Sequence, residues 1–156
     1  MKDWVAAYER FERNTNHGET SMAIIAPKGG GDFEIAPAGV YTGRCFKVID
    51  IGTQKSEYQG EVKMSRKVII SWELLGGDMM ADGRPFSVAK RLTLSLHPKS
   101  QMRPLLEAWR GRPFTQDEEN GFDVSKLLGA YCLMNIIHET GKNGTVYSNI
   151  SSVMPL

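Results

Sequence analysis

No run of eighteen or more apolar residues occurs in the 156-residue chain, so no segment is expected to cross a bilayer as a helix. The first residues include Asp3, Glu9 and Glu12 where a secretory leader would be apolar, so neither export nor a membrane partner is expected. Cysteine is scarce: Cys45 and Cys132 stand far apart, each in an apolar stretch, with no CxxC and no histidine at metal-ligand spacing. Both are expected to be buried thiols in a reducing, cytoplasmic compartment. Catalytic motifs are missing too. His17, His97 and His138 are scattered, with no HExxH. Gly29, Gly30 and Gly31 precede Asp32 and Phe33 rather than Lys-Ser/Thr, which makes them a flexible hinge instead of a phosphate loop. Glu118 and Glu119 extend a charge run from Asp117 and read as a solvated loop rather than paired catalytic carboxylates. The expectation is a protein that is not an enzyme and has no cofactor and no metal site.

One-sided charge is also absent overall, with a net charge of +1. Divided along the chain, the charge is uneven. Residues Tyr41 to Arg112 hold thirteen Lys/Arg against seven Asp/Glu, net +6, whereas the flanks net −2 and −3. A basic middle between acidic ends fits a polyanion-binding face, although a solvated surface has the same composition.

The length suits one main domain. Trp4, Ala7, Tyr8 and Phe11 recur at helical spacing between Lys2 and Arg13, which predicts a short amphipathic helix. With its linker it forms an appendage over 1–21, ahead of a domain over 22–156. Its aromatic face either packs on the domain or meets a partner, and packing is favoured because docking usually stabilises so short a helix. VYTGRCFKVIDIG predicts a first strand, with Gly43 at a bend or bulge, and polar TQKSEYQGEVKMS follows as a connection. In RKVIISWELL, Val68, Ile70, Trp72 and Leu74 alternate with Lys67, Ile69, Ser71 and Glu73, predicting strand two. FSVAKRLTLSLH predicts strand three, with Leu92, Leu94 and Leu96 opposite Arg91, Thr93, Ser95 and His97. A helix follows, with Ser100 as N-cap and Gly111 as stop. YCLMNIIHE and TVYSNISSV around TGKNG predict a closing hairpin. The order β-β-β-α-β-β is that of a five-stranded OB-type barrel, all-β with one helix. In such a barrel strands one and four are neighbours, so Cys45 and Cys132 are expected to lie close together.

The remaining features fit a single-strand binder, which needs a basic groove for phosphates and aromatic faces for bases. In strand one Arg44 and Phe46 are expected on one side, with Lys47 opposite. Lys67 opens strand two, and Lys90 and Arg91 are adjacent in strand three. The first connection adds Lys55, Tyr58, Lys63 and Arg66, and the OB ligand surface is usually the strand two–three face with neighbouring loops. Bases would stack on Phe46, Tyr58 and Tyr147. Trp72 and Trp109 are assigned to the core, being in register with aliphatic positions.

KRLTLSLH, WRGRPFT and GFD-x-x-x-LLG, in that order, together with APAGVYTGRCFKVIDIGTQ and YCLMNIIHE, resemble a family of single-stranded-DNA-binding proteins of tailed bacteriophages. The resemblance runs from Met22 onward and leaves out Lys2 to Ser21. It implies an OB fold, sequence-tolerant binding of single-stranded DNA, and a role in phage replication or recombination in the host cytoplasm, alongside replication or recombination proteins. A homo-oligomer is compatible with it. The alternative is a phage-encoded protein-interaction module, an adaptor or inhibitor of a host or replisome protein.

Overall fold

The alternation of Val68, Ile70, Trp72 and Leu74 with Lys67, Ile69, Ser71 and Glu73 produces a strand buried along one face, where the first four are at most 2% exposed. The computed structural model describes residues 34–156. It contains β1 (Gly39–Tyr58), β2 (Glu61–Leu75), β3 (Ser87–Thr93), β4 (Tyr131–Thr140) and β5 (Val146–Met154). Between β3 and β4 come helix α1 (Met102–Arg110), the one-turn helix α2 (Gln116–Glu119) and a 3-10 turn at Val124–Leu127. The expected order of three strands, a helical segment and two strands is observed. The strands form one antiparallel sheet in the order β3-β2-β1-β4-β5. Among the described residues no ladder joins the edge strands β3 and β5, although their Cα atoms approach within 8 Å. The hydrogen-bonded sheet is therefore open. The helix expected over Lys2 to Arg13, the boundary at residue 22 and the Gly29–Gly31 hinge lie outside the described residues.

The region after β1's first half departs most from expectation. The polar stretch expected as a connection is a continuation of β1 and β2, paired from Gly52↔Lys67 to Tyr58↔Glu61. Gln59 and Gly60 close it with φ of 52° and 79°, the left-handed pair that a two-residue hairpin turn requires. Since β3 pairs with β2 only from Lys67 onward, the last six rungs form a two-stranded arm about 20 Å long at ~3.3 Å per residue. Gly43 does not mark a bulge. A Cβ there would lie 2.7 Å from Met134 Cε and 3.2 Å from Cys132 Sγ, so glycine permits close packing of β1 on β4. The register shifts fall instead between Cys45 and Lys47 and between Asp50 and Gly52. Strand β3 is also shorter than expected and ends at Thr93, where the Leu94 N–H turns to the Arg66 carbonyl; Leu94 and Leu96 still pack against the core.

The N-cap of helix α1 is Gln101, which makes no side-chain cap bond, one residue after the expected Ser100; the Ser100 hydroxyl accepts the Arg103 N–H at 3.4 Å and donates to the Ser95 carbonyl. It stops at Gly111, whose φ of 68° is left-handed. Met102, Leu106 and Trp109 form its buried face. Trp109 meets Trp72 at 5.5 Å between ring centroids and donates its indole N–H to the Tyr131 carbonyl, as the core assignment of both tryptophans anticipated. Cys45 and Cys132 are fully buried free thiols. Cys132 stands opposite Gly43 in the β1–β4 ladder, two residues from Cys45. Burial, reinforced by the nearby Cys45, pushes the Cys132 thiol up to about 12.

Candidate nucleic-acid interface

The face of β2 and β3 turned from the core presents Lys67, Ile69, Ser71 and Glu73 opposite Thr93, Arg91, Ala89 and Ser87. At its Lys67 end lies a groove of about 620 Å³ lined by Lys63, Lys67, Arg91, Thr93, Ser95, His97, Lys99, Ser100 and Gln101. Four of these side chains are cationic and none is a carboxylate. Lys67 donates to the Thr93 hydroxyl at 2.6 Å, and Arg91 donates to the Gln54 side-chain oxygen at 3.4 Å. Among the described residues Arg91 is the one arginine outside any ion pair, and Lys63, Lys67 and Lys99 have no carboxylate partner either. The groove's far wall is a fixed turn: the Lys99 N–H donates to His97 Nδ1 and the Ser100 N–H to the His97 carbonyl. Uncompensated cations and hydroxyl donors around an open groove are the groups that hold phosphate oxygens.

A second groove, of about 330 Å³, lies at the other end of the same face. Phe46, Lys47, Ser71, Ser87, Ala89 and Tyr147 are among its lining residues. Phe46 occupies the bulge of β1, because Cys45 pairs with Trp72 and Lys47 already pairs with Ser71. The extra residue returns Lys47 to the face of Arg44, where simple alternation placed it opposite. Its ammonium lies 5.4 Å from the Phe46 ring centroid. Phe46 is 42% exposed and Tyr147 49%. The Tyr147 ring lies over Gly141, where a Cβ would come within 2.8 Å of it, and its hydroxyl accepts a hydrogen bond from Asn143. Small side chains, Ser71, Ser87 and Ala89, line the groove together with the two half-exposed aromatics. The segment before β1 is anchored beside them, with the Ala36 carbonyl accepting from Ser148 Oγ at 2.7 Å and contacting His138 Nε2.

The expected site residues therefore divide. Lys63, Lys67 and Arg91 meet in the first groove, and Phe46 and Tyr147 in the second. Tyr58 is at the arm tip, 76% exposed, on the face that continues from Lys67 through Gln54 and Ser56. Arg44 is on the outer face, where Tyr131, its partner across the β1–β4 ladder, and the ion-paired Glu73 raise its pKa. Lys55 and Arg66 alternate to the arm's other face, where Arg66 pairs with Asp50 and holds that carboxyl below its ordinary range. Lys90 stands opposite Ile70, on the core side of β3, so it is not brought together with Arg91. Lys99, Lys47 and His97 also line the grooves, although none was among the expected site residues. A pairing-aware reading of HPKS directly after a basic strand signals Lys99, whereas Lys47 is hidden by a bulge that leaves no trace in hydrophobic period. Neither a protein-family model nor a curated protein matches the chain. Among the described residues no cluster of three His, Cys, Asp or Glu side chains is placed to hold a metal ion.

Proposed function

We propose that this chain is a non-catalytic, OB-type barrel that binds single-stranded DNA without strong sequence preference, in phage replication or recombination in the host cytoplasm. The order β-β-β-α-β-β and the approach of β3 to β5 support the barrel. The observation that carries the ligand assignment is the groove of Lys63, Lys67, Arg91 and Lys99, free of carboxylates, on the same sheet face as Phe46 and Tyr147. Phosphates lie along the first groove while bases stack in the second. Sequence tolerance follows from the use of charge and π-faces, which every nucleotide presents.

The test is a titration of labelled oligo-dT, the matching duplex and an RNA of equal length. Tight binding to the single strand with much weaker binding to duplex supports the reading, because stacking needs bases that are already unpaired. Equal affinity for duplex and single strand overturns it. A folded protein that binds no nucleic acid favours the protein-interaction alternative, to which the exposed apolar side chains of the arm give substance.

A further inference from the structure

The arm has two faces, and only one continues the grooves. The other carries Lys55 opposite Met64 and Glu57 opposite Val62 on successive rungs. Met64 is 60% exposed and Val62 55%, with no covering element among the described residues. Hydrophobic side chains side by side on a two-stranded ribbon are unusual on a surface with no contact to make. Their arrangement is also self-complementary. Rungs on one face repeat about every 7 Å, and stacked sheets lie about 10 Å apart. If two such faces stack about a two-fold axis that crosses the arms between these rungs, the Lys55 rung of one copy covers the Glu57 rung of the other. Each Lys55 then faces a Glu57, and each Met64 faces a Val62, twice over. A shift by one rung places like charges opposite each other, so the charges select the register.

We propose that this face of the arm is the contact between neighbouring copies of the chain, engaged when they lie side by side on one nucleic-acid strand. The occupant is a second copy because the charge pattern complements itself. Few residues take part, so the contact is below the ~800 Å² per partner of a stable complex. A shared strand compensates, since tethering supplies an effective concentration of roughly millimolar. In its setting on a strand the inference rests on the proposed function, but the contact itself does not.

The test is register-specific cross-linking in the full chain. Val62→Cys and Met64→Cys are made separately, the native Cys45 and Cys132 being buried. Each variant alone, and the two mixed, are oxidised on long oligo-dT and, without DNA, at high protein concentration. The expected result is covalent dimer in the mixture several-fold above either variant alone, enhanced on DNA. A companion measurement compares affinity for long and short oligo-dT. Lys55→Glu or Glu57→Lys alone should remove the advantage of the long strand, and the double swap should restore it. Mixed dimer no higher than that of each variant alone, in both conditions, overturns the contact. If no strand is bound but mixed dimer still forms selectively at high concentration, the contact stands and the assigned ligand fails.

Discussion

Two clusters of cationic side chains in this protein look alike in the sequence and differ in what surrounds them. Around α1 and α2, Arg103 pairs with Glu107 and Glu119, and Arg110 and Arg112 pair with Glu118. Arg110 also lies 4.5 Å from the Phe114 ring centroid. There the charges are used up internally, stapling a helix to the loop after it. Across the β2–β3 face, Lys63, Lys67, Arg91 and Lys99 form no ion pair among the described residues, and Lys67 and Arg91 bond instead to the Thr93 hydroxyl and the Gln54 amide oxygen. A count of basic residues treats the two regions as equal. Pairing separates them, and leaves only the second able to attract a polyanion at short range.

The largest effect expected from breaking this contrast is on binding. Lys67→Glu with Arg91→Glu should lower single-strand affinity on the order of a hundredfold at low salt with a much smaller effect on melting temperature, because within the fold the two side chains make one neutral hydrogen bond each, to Thr93 and Gln54. Arg103→Glu should do the reverse: affinity is retained while the helix staple is lost. Equal binding defects from both would erase the distinction.

Next in size is the aromatic groove. Phe46→Ala and Tyr147→Ala should each cost roughly 1–3 kcal/mol of binding. Their salt dependence should match the unaltered protein, since no ionic contact is removed. Anisotropy titrations at several salt concentrations separate this outcome from a loss of charge.

Part of this was legible in the amino-acid order. Trp72 and Trp109 declared themselves core by standing in register with aliphatic residues, and the face of Arg91, Thr93, Ser95 and His97 followed from alternation. Three features left no such signal. The arm is solvated on both faces, so its outgoing half TQKSEYQ has no hydrophobic period to distinguish a ladder from a loop, the alternation of Val62 and Met64 in the returning half is too short to decide, and the Gln59-Gly60 turn is a weaker cue than Asn-Gly. The bulge at Phe46 reverses alternation for Lys47 without changing composition. Ion pairs such as Arg44–Glu73 and Arg66–Asp50 join residues distant in sequence, and only the ladder reveals that they are neighbours.

A smaller effect concerns stability in acid. Hydrogen bonds from Arg112, then from the Thr115 backbone N–H, hold the Glu118 carboxyl at about 2. Being depressed in the folded state, this group contributes stability that is complete above the ordinary carboxylate value of 4.5 and is lost as pH falls from there through about 2. Glu118→Gln should lower the melting temperature by a few degrees near neutral pH, and its further loss on acidification should be shallower than that of the unaltered chain. Thermal melts by circular dichroism read both, and single-strand affinity should not move.

The smallest signal is chemical. Cys45 and Cys132 should resist a water-soluble thiol reagent in the folded protein and react fully in denaturant, because the reactive thiolate is disfavoured by burial at both sites. Fast labelling of the native protein would contradict the placement of β1 against β4.

The most direct test of the distinction between paired and free cations is the dependence of oligo-dT affinity on salt. Single strands release about 0.7 counterions per neutralised phosphate. Four free cations on phosphates thus predict a slope of about −3 in log affinity against log salt concentration, made shallower by about 1.4 in Lys67→Ala with Arg91→Ala and left unchanged in Arg112→Ala. A flat response in the unaltered protein, or a slope that changes as much on losing Arg112 as on losing the groove pair, would contradict the account.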